Sequence, residues 1–251
     1  MNDLIIEPQG TWVRLVLNRP QVKNALNTAL LARLDQVLTD LAVDPGCRAV
    51  MICGAEGNFA AGADIAEIEG KTSHDAAHDP RKAHWAAIRG FAKPMVAAVD
   101  GFALGGGFEL ALMADLMVLG MGAKVGLPET NLGIIPGAGG GQRLLALVGS
   151  ARAARMVLMA EVIDAETAFA WGIGSYLVPD ALAQAALITE KLARRAPLAL
   201  QAAKASLIAG QENALALRQE RAAFEALLDS EDKAEGIAAF LAKRRAEFKG
   251  R

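Results

Sequence analysis

Apolar positions in the first half of the chain alternate between short continuous runs and longer stretches with helical spacing. Two short runs on either side of a turn at Gly10 predict strands over residues 4–7 and 12–17. Apolar residues at helical spacing predict a helix over residues 25–41. The same reasoning predicts strands over residues 48–53, 95–99 and 116–119 and helices near residues 75–91 and from about Gly106. This alternation is typical of an α/β fold with buried strands.

Helical spacing dominates the chain from about Ala151 onward, where strand candidates nearly vanish. The helices predicted there cover residues 181–196, 197–208, 213–228 and 234–243. We therefore expect an α/β core over residues 1–195 and a helical region over residues 196–251. The C-terminal helices are expected to pack either on their own core or on a neighbouring subunit.

Composition and charge exclude several classes of function. The net charge of −2 gives no general attraction to nucleic acid or to an anionic membrane. Glu109 and Asp115 interrupt the longest apolar stretch, which makes a membrane span a poor interpretation. Two cysteines, Cys47 and Cys53, are too few for a disulfide framework. With only three histidines in the chain, few other residues could join them as metal ligands. With no secretory signal at Met1, we expect a cytoplasmic protein with no metal site.

Segments rich in small residues or in glycine follow two of the predicted strands. Residues 58–65 follow the strand at 48–53, and residues 100–110, with three adjacent glycines, follow the strand at 95–99. Glycines ahead of a helix let the backbone approach a ligand closely and direct free N–H groups toward it. One N–H from each loop would form an oxyanion hole. Glu109 then lies in the first turn of the helix, where a carboxylate can act on a substrate whose carbonyl those groups hold.

Each of these features also has a structural interpretation. Three glycines before a helix often mark tight packing or a phosphate site, and Glu109 is in the right place for a helix-dipole or capping carboxylate. Glu129, in the third glycine-rich segment, residues 126–140, is equally typical of a surface turn. Asp64 is typical of a residue that caps a helix entry. The combination of all four features is what favours catalysis.

These segments resemble the crotonase (enoyl-CoA hydratase/isomerase) family, and the resemblance runs nearly the full chain. It is carried, in order, by Leu17-Asn18-Arg19-Pro20, Asn24-Ala25-Leu26-Asn27, residues 59–65, Lys93-Pro94, residues 101–110 and 128–140, Gln142-Arg143-Leu144, residues 197–199 and Lys204. The resemblance implies a crotonase-type spiral of ββα turns with a helical C-terminal trimerisation region. It also implies a homotrimer or a dimer of trimers. Gly141 departs from the family pattern, since many relatives have threonine there.

The resemblance assigns roles to particular residues. The backbone N–H groups of Ala63 and Gly106 would form the oxyanion hole, and Glu109 and Glu129 would be the catalytic carboxylates. Lys243 would approach CoA from a neighbouring subunit. The substrate- and CoA-binding set implied by the resemblance is Val22, Lys23, Ala25, Ala61, Asp64, Ile65, Ala66, Gly137, Phe224 and Lys243. CoA would belong to the acyl-CoA substrate, and no cofactor is implied.

The presence of both glutamates favours hydration, because isomerases of this family usually keep one of the two carboxylates. The expected reaction is syn addition of water to trans-2-enoyl-CoA, with Glu109 activating water and Glu129 donating a proton to carbon. Residues 196–204 and 248–251 resemble hydratases of bacterial phenylacetate breakdown, which suggests phenylacetate or fatty-acid catabolism. The enzymatic alternative is a Δ3,Δ2-enoyl-CoA isomerase.

A non-enzymatic alternative is an RNA-binding homologue of the family. The arginines that would support it are Arg152, Arg155, Arg194, Arg195, Arg244 and Arg245. A solvated helix face explains the same residues, and the net charge of −2 disfavours a polyanionic partner.

Overall fold

The computed structural model describes residues 2–211 and 214–247. The strands are β1 (Leu4–Pro8), β2 (Trp12–Leu17), β3 (Ala49–Gly54), β4 (Met95–Val99), β5 (Phe102–Leu104), β6 (Leu116–Gly120), β7 (Lys124–Gly126), β8 (Val162–Asp164) and β9 (Tyr176–Val178). The helices are α1 (Thr28–Val43), α2 (Ser73–Ala77), α3 (Arg81–Arg89), α4 (Gly106–Ala111), α5 (Gly140–Leu158), α6 (Ala165–Ala170), α7 (Ala181–Ala193), α8 (Pro197–Gln211), α9 (Ala214–Leu227) and α10 (Glu231–Leu241).

Two sheets organise the core. Six strands form the larger sheet in the order β1-β2-β3-β4-β6-β9, antiparallel between β1 and β2 and parallel elsewhere. Every residue of β4 is buried, as expected for a parallel strand with both faces covered. The α/β prediction is thus confirmed. The smaller sheet, β5-β7-β8, was not predicted, because strands of three residues are too short to show a period.

Helix boundaries differ from prediction where local capping and proline intervene. The helix predicted from residue 25 begins at Thr28, because the Asn27 side chain accepts a hydrogen bond from the N–H of Leu30 and caps it. The prediction of a single helix near residues 75–91 is wrong. The region forms two helices, α2 and α3, separated by a segment that contains Pro80. The capping box of Thr72 and Asp75 moves the start of α2 to Ser73.

The C-terminal part is helical, as predicted, with shifted ends. The helices predicted over residues 181–196, 197–208 and 234–243 correspond to α7, α8 and α10. Of the helix predicted over residues 213–228, the first residue lies outside the described part of the chain, as does the segment 248–251. Two short strands, β8 and β9, interrupt the region beyond Ala151, where few strands were expected.

Buried lysines tie the loops and the C-terminal helices to the sheet. Lys93 Nζ donates hydrogen bonds to the carbonyl oxygens of Leu41, Asp44 and Cys47 at 2.6–2.8 Å. Lys204 Nζ, on α8, donates to the carbonyl of Lys93 at 3.0 Å and pairs with Asp115 at 2.9 Å. Both buried ammonium groups therefore have hydrogen-bond acceptors, and Lys204 also has a counter-ion in Asp115. Lys93 and Lys204, two residues of the family pattern, therefore have a structural role.

Three apolar clusters fill the described part of the molecule. The first packs α1 and α4 against one face of the larger sheet, and the second packs α7 against the other face. The third joins Phe224 of α9, Leu228 directly after that helix and Ile237 of α10 to Ile68 and Ile134. The third cluster places the C-terminal helices over the glycine-rich loops. Within the described ranges, no helix combines the length and the apolar character needed to cross a membrane.

Candidate active site

A cleft of about 400 Å³ lies where the glycine-rich loops meet the C-terminal helices. Its lining is mostly apolar, with a few charged and polar groups, as is typical of small-molecule sites. Nine of the predicted site residues line it: Lys23, Ala61, Ala63, Ile65, Gly106, Glu109, Glu129, Gly137 and Phe224.

The predicted oxyanion-hole residues, Ala63 and Gly106, lie side by side. A Cβ placed on Gly106 would be 3.5 Å from the nitrogen of Ala63. Within the described residues, neither of the two N–H groups donates a hydrogen bond to another part of the chain. Gly106 is the first residue of α4, where a free N–H is expected. Two unengaged donors therefore face the same cleft.

The glycines before α4 are required by the backbone. Gly105 has φ +48° and ψ −128°, a conformation that residues with a side chain rarely adopt. Gly107 packs so closely that a Cβ would come within 2.2 Å of the carbonyl oxygen of Ala60. The packing interpretation and the ligand interpretation of this segment therefore both apply, since close packing of Gly107 is what holds Gly106 at the cleft.

Glu109 is buried in the cleft wall, with 4% of its surface exposed. Its Oε1 accepts hydrogen bonds from the N–H groups of Ala138 at 2.8 Å and Gly140 at 2.9 Å. Burial raises the pKa of Glu109 above its usual value, while the Gly140 and Ala138 N–H groups and the Arg143 charge act in the opposite direction. Glu109 does interact with a helix N-terminus, but it is that of α5 and not of its own helix.

Glu129 is also buried, with 8% of its surface exposed, so its interpretation as a surface turn residue is wrong. It begins a short 3-10 turn, Glu129–Leu132, after Pro128. A Cβ placed on Gly105 would lie 3.2 Å from Glu129 Oε1, which puts this carboxylate directly beside the N-terminus of α4. Glu109 and Glu129 therefore approach one cleft from different segments of the chain.

Five other predicted residues do not line the cleft. Asp64 does not cap a helix with its side chain; it pairs with Arg19 at 3.0 Å. Val22 and Ala66 are exposed, and Ala25 is half-buried. Lys243 is exposed just beyond α10, with φ +52°.

The chain as a whole matches a known family. Residues 8–251 match the family described as enoyl-CoA hydratase/isomerase. The chain belongs to this family. The crotonase resemblance is thereby confirmed.

Relatives within the enoyl-CoA hydratase/isomerase family cover the full chain. The 2,3-dehydroadipyl-CoA hydratase of Escherichia coli (strain K12) is 47% identical over 255 residues, covering 100% of both chains. A probable enoyl-CoA hydratase of Rhizobium meliloti (strain 1021) is 44% identical, covering 99% of this chain and 98% of the relative. Among solved structures, the carnitinyl-CoA hydratase from Mycobacterium avium has a TM-score of 0.88 at 33% identity, with both chains fully covered. The fold is thus that of the enoyl-CoA hydratases.

Several residues that line the cleft were missed by the sequence reasoning. Trp85, on α3, lies 3.9 Å from a Cβ placed on Gly106. The chain provides no motif around Trp85, and helical spacing alone does not say which helix faces a cleft. The other missed residues with polar or aromatic side chains are Arg81, Phe102, Asn131, Arg221 and Phe240.

Proposed function

We propose that this protein is an enoyl-CoA hydratase that adds water syn across the double bond of trans-2-enoyl-CoA and gives 3-hydroxyacyl-CoA. The observation that carries the proposal is the placement of two buried glutamates, Glu109 and Glu129, in one cleft with a pair of unengaged backbone donors. The names of the relatives as hydratases of CoA thioesters support it.

The two backbone donors would stabilise the charge that develops during the addition. When water attacks the β-carbon of an enoyl thioester, negative charge moves to the thioester oxygen. The N–H groups of Ala63 and Gly106 are fixed by the fold before the substrate arrives, so their alignment costs nothing during the reaction. Loss of one such donor typically lowers kcat by about 10²–10³.

The two glutamates would divide the proton transfers. Glu109, as the carboxylate, accepts one proton from water while the water oxygen bonds to the β-carbon. Glu129, as the acid, donates a proton to the α-carbon as the enolate collapses. The hydroxyl group keeps the second proton of water, so atoms and charge balance. Two nearby carboxylates titrate as a pair, which lets the site hold one proton between them.

The setting of the reaction is part of the same proposal. The acyl-CoA substrate brings CoA with it, so no cofactor is needed, and neither a metal, a membrane nor nucleic acid has a role. Cytoplasmic acyl-CoA breakdown, of phenylacetate or fatty acids, is the pathway we favour.

We further propose a homotrimer or a dimer of trimers, in which Lys243 of one subunit would reach CoA bound to another. Large apolar side chains exposed on α5, α6 and α8 support association: Leu158, Phe169, Leu198 and Leu207.

The assembly has a direct test. Sedimentation at working concentration should give the mass of a trimer or of a larger multiple of three. A fully active monomer would contradict this part of the proposal and would leave the chemistry untouched.

The arginines that would support RNA binding are largely engaged. Arg155 pairs with Glu161 at 2.7 Å, and both Arg155 and Arg152 stack on Trp171. Arg194 pairs with Glu190, and Arg244 pairs with Glu235. Ion pairs with neighbouring carboxylates favour a solvated face over a surface that binds phosphates. Hydration is therefore the function we favour.

The proposal is tested with a panel of enoyl-CoA substrates. Loss of the enoyl-thioester absorbance measures hydration, and chromatographic separation of 2-enoyl from 3-enoyl products measures isomerisation in the same samples. We expect hydration to exceed isomerisation for trans-2-enoyl substrates. Turnover confined to double-bond migration would mean that the protein is an isomerase and not a hydratase.

A further inference from the structure

Two arginine side chains bind one carbonyl oxygen in the loop before α5. Arg89 Nη2, at the end of α3, donates a hydrogen bond to the carbonyl oxygen of Ala138 at 3.3 Å. Arg143 Nη1, on α5, donates to the same oxygen at 3.2 Å. A carbonyl oxygen has two lone pairs and can accept both bonds, but one neutral donor would already satisfy it. Two charged donors on this oxygen therefore exceed what the carbonyl itself requires.

The anchored carbonyl lies between the two N–H groups that bind Glu109. It belongs to the peptide group that joins Ala138 to Gly139, whereas the N–H groups of Ala138 and Gly140 belong to the peptide groups on either side. Both of those N–H groups donate to Glu109 Oε1, at 2.8 and 2.9 Å. Gly139 has φ +92° and ψ 13°, and this left-handed conformation lets both N–H groups meet one oxygen. A shift of the central peptide group would therefore move its neighbours and the carboxylate that they hold.

The two arginines act from outside the cleft. Ala138 is buried and lines the cleft, whereas neither Arg89 nor Arg143 is part of the lining. Both arginines line a second cavity, of about 200 Å³. Any effect that they have on the reaction therefore passes through the loop that holds Glu109.

The charge of Arg143 favours the form of Glu109 that the reaction uses. Burial raises the pKa of Glu109, whereas the N–H groups of the loop and the positive charge of Arg143 lower it. The other charged side chains that line the cleft are Glu129, Lys23, Arg81 and Arg221. Arg143 differs from these cations because it is bonded to the same loop as the carboxylate. It therefore supports the ionised form of Glu109 as well as its position.

We propose that Arg89 and Arg143 are positioning residues for hydration. Together they fix the peptide group between Ala138 and Gly139, so that the N–H groups beside it keep the carboxylate of Glu109 aligned with the attacking water. A catalytic group depends on such support, because its rate falls steeply with small displacements. This inference rests on the proposed hydratase function, because it takes Glu109 as the group that accepts the proton from water.

The test is a set of double variants that separates support of Glu109 from general stability. Arg143→Met and Arg89→Met each remove a guanidinium group and keep most of the apolar stem. Each should lower kcat for hydration by about tenfold to a hundredfold, as for a displaced catalytic group, while KM changes less. In the Glu109→Gln background each should cost less than about threefold, because effects that pass through one residue are not additive. The control is Arg152→Met, which removes an exposed arginine from α5 and should keep wild-type kcat.

Thermal unfolding at pH 8 provides a readout that needs no turnover. Ionised Glu109 lowers the stability of the folded protein, because its pKa there is raised above the unfolded value. Removal of the Arg143 charge raises that pKa further. Glu109→Gln should therefore increase the Tm more in Arg143→Met than in the wild-type protein. An equal increase in both backgrounds would overturn the proposal.

The rate measurements have contrary outcomes of their own. If Arg143→Met cost as much in the Glu109→Gln background as in the wild-type protein, the arginine would act on the fold and not on Glu109. Wild-type kcat in a folded Arg143→Met protein would overturn the proposal too, and Arg89→Met provides the same comparison if that variant does not fold. A wild-type protein that binds acyl-CoA without hydrating it would contradict the hydratase function, whereas the Tm comparison would still decide whether Arg143 supports Glu109.

Discussion

The carboxylate of Glu109 accepts a hydrogen bond from the backbone N–H of Gly140, 2.9 Å away, at the first residue of α5. The N-terminus of α5, whose first segment runs as far as a break at Gly149, thus points at a buried carboxylate from another part of the chain. The helix end favours the ionised form of Glu109, whereas burial disfavours it. The position of the carboxylate therefore depends on the absence of a side chain at residue 140.

Gly140→Ala should move Glu109 without changing any ionisable group. A Cβ at this position would lie 2.6 Å from Glu109 Cγ and 3.0 Å from Oε1, so the carboxylate must shift. A small displacement of a positioned catalytic group can cost about 10²-fold in rate. We expect kcat for hydration to fall by about tenfold to a hundredfold, with KM changing less.

The control for this substitution is Gly122→Ala, where an added Cβ meets no atom within 4 Å. Gly122→Ala should keep wild-type kcat. If Gly140→Ala retained full turnover while its Tm stayed close to that of the wild-type protein, the exact placement of Glu109 would not matter for the rate.

The sequence predicted the glutamates better than it predicted the cleft. Glu109 and Glu129 belong to local motifs with glycine and proline beside them, which a linear pattern reveals. Arg221 and Trp85 lie in ordinary helical stretches, and they meet the motifs only through tertiary packing. Similarly, Asn27 and Pro80 set helix ends by local chemistry that the apolar period overlooks. The short strand β7 pairs with residues distant in sequence, so no local signal could reveal it.

Gly106→Pro tests the oxyanion hole. Proline removes the N–H but fits the first position of a helix, where its φ is favourable and the lost donor had no helical partner. We expect kcat to fall by about 10²–10³, as for a lost oxyanion-hole donor. Glu231→Pro makes the same change at the first residue of α10 and should leave kcat unchanged. Near wild-type turnover in a folded Gly106→Pro protein would remove this N–H from the mechanism.

Glu109→Gln should raise stability at neutral pH, because burial raises the pKa of this carboxyl in the folded state. Below the unfolded pKa of about 4.3 the group is protonated in both states and costs nothing. As pH rises from there through the raised folded pKa, ionisation in the buried site lowers the free energy of unfolding of the wild-type protein. The Tm of the variant should therefore exceed that of the wild type at pH 8, and the difference should shrink as the pH is lowered toward 4.

The matched control for this pH effect is Glu161→Gln. Glu161 is only partly exposed, and the hydrogen bond from Arg155 lowers its pKa, so this substitution should not stabilise the protein at pH 8. A Tm difference for Glu109→Gln that is the same at both pH values would mean that ionisation of Glu109 does not carry the effect.

The division of labour between the glutamates is tested with Glu109→Gln, Glu129→Gln and the double variant. Glutamine keeps the shape and most hydrogen bonds of glutamate but cannot transfer the proton. Addition of water needs one group for the water proton and another for the α-carbon proton, whereas a shift of the double bond needs one carboxylate that carries a single proton. Each substitution should therefore lower the hydration rate by at least about 10²-fold.

The double variant should lose less than the product of the two single losses, because groups that act together in one transition state are not additive. Binding of a saturated acyl-CoA should survive in all three variants, since Ala63 and Gly106 keep their N–H groups. Hydration and isomerisation rates are measured side by side for each variant. Intact hydration in Glu109→Gln, together with a loss confined to isomerisation in Glu129→Gln, would contradict the proposed mechanism, because hydration would then need neither glutamate. A large loss of hydration in each single variant would mean that the reaction needs both carboxylates, as the geometry of the cleft predicts.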